Sequence, residues 1–307
     1  MRIILFFLAF ISILSCTQQS DNWIVAKNEE GFLIMEGTDS VFFYQQKPKS
    51  MDGKFKRSNY IHPLYGTNGH ILTEDFPADH LHHRGVFWAW HQTYIGSKRI
   101  GDAWALEDFE WDIDDATVKE YNDSCVVTTS VDWKSPLWLD ENGEQKAFAH
   151  ESAAITVHAA KDKYRIIDFE IKITALEDSL AIGGSEDPKG YSGFSWRIPL
   201  SEDVQFTGKR GAVEPQTLAL DEGPWIDIRG DLTGHGAQEG VLVVSHHSNP
   251  SHPQAWILRK AKSMQNVAYP GREPVFIEKS NPLVLKYRMV VYEGALTDEK
   301  IKDLSSF

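Results

Sequence analysis

The chain has 307 residues, 42% of them hydrophobic, two cysteines and a formal net charge of −13. That acidic balance, with no stripe of Lys and Arg, excludes a nucleic-acid or anionic-membrane partner bound through its phosphates. The length is enough for one large β domain or two smaller ones held by a buried core.

Met1-Arg2 is followed by an apolar run from Ile3 to Leu14, broken only by Ser12, and then by Ser15-Cys16-Thr17. One positive residue, a short apolar core and a small residue before the break make a secretory signal, too short to span a bilayer. Ile13-Leu14-Ser15-Cys16 resembles a bacterial lipobox, in which Cys16 becomes the lipid-bearing first residue; a plain signal peptide cut nearby is the alternative. Residues 1–15 are therefore expected to be a signal peptide, 16–21 a tether, and 22–307 a single β-sandwich domain. The expected location is the bacterial cell envelope, as a periplasmic or outer-membrane lipoprotein with a membrane contact through Cys16. With Cys16 lipidated, Cys125 is the only other thiol and no intramolecular disulfide can form.

Strand signals dominate from Asn22 onward. Asn22–Asn28, Gly31–Glu36 and Ser40–Gln46 are short β-rich pieces between turn residues. In Ile167–Ala175 apolar residues occupy the odd positions and polar ones the even, the period of two of a strand with one wet face. Val127, Thr129, Val131 and Trp133 repeat the pattern, as do Leu283, Leu285, Tyr287, Met289 and Val291. Only Leu296–Phe307 reads as a helix, with Thr297 able to cap it and Asp298 and Glu299 suited to its positive start. The composite is an all-β chain, a large antiparallel β-sandwich with a short C-terminal helix. The galactose-mutarotase-like supersandwich is one architecture of this size.

Chemistry concentrates between Tyr60 and Gln92, which holds six of the twelve histidines. Asp79-His80-Leu81-His82-His83-Arg84-Gly85 forms a loop between Pro77 and Gly85, and Val86–Trp90 reads as the strand leaving it. Imidazoles titrate near neutrality and can pass protons, so His80, His82 and His83 are catalytic candidates. Arg84 offers a fork of donors for a carboxylate or vicinal hydroxyls; its plainer reading is an ion pair to Asp75, Asp79 or Glu74. His80 and His82 share a side of an extended backbone, which makes them the fallback ligands for a divalent metal; no cofactor is otherwise expected. Trp88 is a candidate wall for a sugar ring, although an aromatic on a strand is more often core.

The remaining substrate-binding candidates are His62, Arg197, Asp227, His246 and Asn249. Arg197 lies in an apolar strand and needs a partner if buried, a role open to Asp227 in Trp225-Ile226-Asp227. His246 continues the apolar strand Val241–Ser245 into a second histidine cluster, whereas His247 and His252 read as surface loop.

Taken in order, Asp79-His80-Leu81-His82-His83-Arg84-Gly85, Trp88, Arg197, Trp225-Ile226-Asp227, His246-x-x-Asn249-Pro250, Trp256 and Arg259 resemble the PmoA-like family of bacterial secreted proteins, labelled "methane oxygenase PmoA". Departures occur at Lys189-Gly190-Tyr191, with no glutamate after the lysine, and at Ile228-Arg229-Gly230 in place of Tyr-Ser-Gly. The label implies no activity here, since a methane oxygenase subunit works with copper in or on a membrane. The resemblance implies a context of polysaccharide utilisation and sugar catabolism. The expected function is thus a lipid-anchored exported protein acting on a carbohydrate, with an acidic oligosaccharide as one candidate, by hydrolysis, elimination or epimerisation. The alternatives are a glycan-binding lipoprotein without catalysis and a His-ligated metalloenzyme.

Overall fold

The computed structural model describes residues 23–262 and 264–307; the expected signal peptide, Cys16 and the tether lie outside them. Two large antiparallel sheets form the body. The first has eight strands in the order Trp23–Lys27, Gly31–Glu36, Asp39–Gln45, Tyr60–Leu64, Val86–Trp90, Ser192–Trp196, Gln265–Ala268 and Ala255–Ile257. The second has nine: Glu110–Glu120, Ser124–Lys134, Ala149–His158, Tyr164–Ala175, Leu283–Glu293, Glu239–Ser245, Trp225–Gly230, Gln205–Gly208 and Gly211–Ala212. A four-stranded sheet (Val275–Ile277, Leu180–Gly183, Gln92–Ile95, Lys98–Gly101) and a hairpin (Lys49–Met51 with Lys54–Arg57) complete it.

The period of two sorts the side chains as expected. Ile167, Phe169, Ile171 and Ile173 are buried while Glu170 and Lys172 face out, and Phe169 meets Trp88 of the opposite sheet at 6.4 Å between ring centroids. Phe169–Phe194 and Trp90–Trp133 join the layers in the same way, so one contiguous core lies between the sheets. Burial of apolar surface at roughly 25 cal/mol per Å² drives this pairing of faces. The helix spans Asp298–Leu304, capped by the Thr297 side chain on the Lys300 N–H, and lays Ile301 and Leu304 on the outer face of the nine-stranded sheet. Among the described residues no helix is long and apolar enough to cross a membrane.

The strand Val86–Trp90 places the chemistry. Its side chains alternate: Trp88 and Trp90 enter the core between the sheets, while Phe87 and His91 face the outer side, where Trp104 packs on both at 5.4 Å. Beyond Trp90 the chain steps from the eight-stranded sheet into the four-stranded one, and Asp102 follows the last strand of that small sheet.

Candidate functional site

The loop Glu74–Gly85 is anchored at both ends. Gly85 has φ +35°, and a Cβ on it would lie 1.9 Å from the Ile61 carbonyl oxygen, so no larger residue fits where the loop rejoins the sheet. Its N–H donates to Glu74 O at 2.8 Å, and its carbonyl accepts from the Arg197 N–H at 2.8 Å.

Arg84 corrects the expectation that it meets a ligand. It is 0% exposed, and its Nε donates to Asp75. The two terminal nitrogens donate to the Phe55 carbonyl at 2.8 Å and the Tyr60 hydroxyl at 2.6 Å, and the Phe76 ring covers one face at 3.6 Å. The guanidinium is spent inside the protein, so Arg84 pins the loop through Asp75. His62 belongs to this anchor as well: its Nδ1 pairs with Thr73 Oγ1 at 2.9 Å, and burial, above all, lowers its pKa to about 4.

Arg197 is the arginine that meets the imidazoles. Its Nε donates to Glu74 at 2.7 Å, one terminal nitrogen donates to both Asp79 oxygens at 2.8 and 3.0 Å, and the other reaches His83 Nδ1 at 3.2 Å. Its partners are therefore Glu74 and Asp79, not Asp227. A guanidinium only donates, so His83 Nδ1 accepts and the ring proton sits on Nε2. Burial, then the neighbouring His82, His80 and Arg197, hold His83 neutral with a pKa of about 2.

The three loop imidazoles touch. His80 stacks flat on His83 at 4.6 Å, and His82 stands edge-on to both, at 4.6 Å from His83 and 5.8 Å from His80. His80 Nδ1 meets Asp79 Oδ2 at 2.7 Å. A carboxylate accepts, so His80 carries its proton on Nδ1 and presents Nε2 as a base. Burial raises the Asp79 carboxyl, but hydrogen bonds from His80 and Arg197 prevail and bring it down to about 2. Burial first, then the charges of His80, Arg57 and His91, lower His82 to about 4, so it is neutral at working pH.

A second Asp–His pair lies within electrostatic reach of His82, and no motif in the sequence announced it. His91 Nδ1 meets Asp102 Oδ2 at 2.9 Å, Asp102 is held by the Ala105 N–H at 2.7 Å and Arg99 at 3.2 Å, and Trp104 stacks on His91 with Tyr191 behind it at 5.7 Å. His82 feels the charges of His80, His91 and Asp102. Strand alternation puts His91 on the face opposite Trp88 and Trp90; Asp102 carried no local signal, because a turn brings it back 11 residues later. A groove of about 360 Å³ opens beside Asp102 and Arg99.

Four other expected residues lie elsewhere. Trp88, 3% exposed, faces the core and cannot be a wall of the site. Asp227 sits on the far face of the nine-stranded sheet, where burial raises its pKa to about 6 despite the Tyr292 hydroxyl donating to it at 2.7 Å. Asn249 is buried and clamps the backbone of Lys286, donating to its carbonyl at 2.8 Å and accepting from its N–H at 2.7 Å. His246 bonds Ser248 at 2.7 Å and packs on Phe307. As for the fallback metal pair, among the described residues no set of three or more His, Cys, Asp or Glu side chains is arranged to hold an ion.

No curated protein matches the chain. Two solved structures with low similarity are a mutarotase candidate, YeaD, from Salmonella typhimurium (11% identity, 89% of this chain and 90% of that one, TM-score 0.35) and the GH36 alpha-galactosidase AgaB from Geobacillus stearothermophilus (9% identity, 88% and 41%, TM-score 0.26). TM-scores this low carry no argument about chemistry. A family model covers residues 33–306, nearly the whole described chain. The chain belongs to that family, DUF6807, a family of unknown function.

Proposed function

We propose that this protein is a carbohydrate-active enzyme that moves protons at a sugar through imidazoles on the outer face of the eight-stranded sheet. The observation that carries the reading is the contact of His80, His82 and His83 beside two Asp–His pairs, Asp79–His80 and Asp102–His91. In each pair the carboxylate fixes the Nδ1–H tautomer, leaves Nε2 without a proton and steadies the imidazolium that forms when Nε2 takes one. Two such groups facing one solute are the complement that removing a proton at one position and delivering one at another requires.

Elimination or epimerisation fits this set better than hydrolysis by paired carboxylates. That hydrolysis needs one carboxylic acid kept protonated, and Asp79 is held ionised by His80 and Arg197. Trp104 and Tyr191, rather than Trp88, supply the aromatic side, and aromatic faces beside polar groups suit a sugar ring. The PmoA-like resemblance adds only the sugar-catabolic context of similar proteins. In the same reading the chain is exported and tethered to the envelope through lipid on Cys16; mass spectrometry of the native N-terminus, compared with Cys16→Ser, tests that part.

The enzymatic part is tested by incubating neutral and acidic sugar fragments with wild type and His82→Gln and following products by NMR. Product from the wild type with a loss of about a hundredfold or more in the variant is expected. Equal turnover by both removes the proposed chemistry. Calorimetric binding without product would instead identify a glycan-binding protein.

A further inference from the structure

On the opposite side of the sandwich, between the C-terminal helix and the strands Gln205–Gly208 and Trp225–Gly230, lies a cavity of about 540 Å³. That volume is within the roughly 300–1,000 Å³ of small-molecule sites. Trp225 leans on the apolar patch that the helix covers, and its partly exposed indole lines the cavity. Lys209 and Lys302 stand on the lining, both exposed, and among the described residues neither has a carboxylate partner. Asp298 adds an acceptor, and so does Ser305, whose hydroxyl proton goes to the Ile301 carbonyl.

From these residues we infer a second, non-catalytic binding site for a sugar ring that bears an anionic group, a carboxylate or a sulfate. The indole provides a flat apolar surface for the ring's C–H face. The two ammonium groups provide the charge complement, and Asp298 and Ser305 can engage hydroxyls. Two unpaired lysines around one aromatic on a chain of net charge −13 mark where an anion is admitted rather than repelled. Trp225 faces away from the core and the imidazoles lie on the outer side of the other sheet, so a short substrate cannot occupy both places. The site would retain an acidic glycan while the other face is free to act. This goes beyond the proposed catalysis and does not require it.

Calorimetry with a galacturonate trisaccharide, a sulfated galactose trisaccharide and the neutral galactose trisaccharide tests the site without reference to turnover. The expected result is binding of at least one acidic probe, weakened roughly tenfold or more by Lys209→Gln with Lys302→Gln, and weak or no binding of the neutral one. Which acidic probe binds separates carboxylate from sulfate. Trp225→Phe, which preserves packing under the helix, is expected to weaken binding, and His80→Gln to leave it unchanged. Acidic-probe binding that survives the double lysine change, or no binding of either acidic probe to the wild type, overturns the inference. Binding lost in His80→Gln also overturns it, since the ligand would then sit on the imidazole face.

Discussion

Two histidine clusters stand at strand ends in this molecule, and they differ in what reaches them from afar. The loop Glu74–Gly85 receives Arg197 from just beyond the strand Ser192–Trp196, more than a hundred residues away, and this one guanidinium holds Glu74, Asp79 and His83 together. In the turn Ser245–His252 the distant contact is backbone only, Lys286 held by Asn249, and among the described residues no charged side chain bonds its imidazoles: His246 bonds Ser248, two residues on, and its ring rests on His247 and Phe307 at the surface. Histidines adjacent in sequence are therefore weak evidence. Convergence of a buried guanidinium from a distant part of the chain on two carboxylates and an imidazole of the loop is what turns the first cluster into a candidate site.

The largest effects should come from the anchors beneath that loop. Arg84→Met leaves Asp75 Oδ1 buried without its guanidinium, with only the partly exposed Lys49 at 2.8 Å and the Tyr60 hydroxyl at 3.3 Å on Oδ2, and should destabilise by about 3 kcal/mol or more, read as a fall in the urea midpoint. Trp88→Ala should cost a similar amount, about 3–5 kcal/mol, because it opens a core cavity rather than a ligand wall. A stable Trp88→Ala protein with impaired sugar binding would make Trp88 a wall of the site after all and break the distinction between the two faces of the strand.

Next in size is an acid-side loss of stability. His62, His82 and His83 have folded pKa values near 4, 4 and 2, below the ordinary value of about 6.5. In that window the unfolded chain takes up protons that the folded chain refuses. Stability is therefore unaffected above about pH 6.5 and declines as pH falls from there toward 4 and below. His83→Gln should flatten a plot of Tm against pH between 6.5 and 4; an unchanged slope would show that His83 is not held neutral. The smallest effect belongs to the other cluster: His247→Ala should alter stability by no more than about 0.5 kcal/mol.

Much of the fold was legible because it rests on local periodicity. The alternation in Ile167–Ala175 and Leu283–Val291 states which side is buried, and Thr297 with Asp298 and Glu299 marks the helix start within two residues. The site was half legible. A strand shows that Phe87 and Trp88 point opposite ways but not which way the second sheet lies, and all five residues of Val86–Trp90 are buried because both faces are covered. Arg84 and Arg197 look alike in sequence; only long-range packing decides that one is sealed under Phe76 and the other meets the imidazoles. Asp102 was invisible for the same reason, since its role comes from a turn closing on His91.

The most direct test sets one residue of each histidine cluster against the other: initial rates of product formation at pH 7 for His80→Gln and His247→Ala on a sugar fragment the wild type converts. The account predicts a loss of about a hundredfold or more for His80→Gln and a wild-type rate for His247→Ala. Equal rates in the two variants would contradict it.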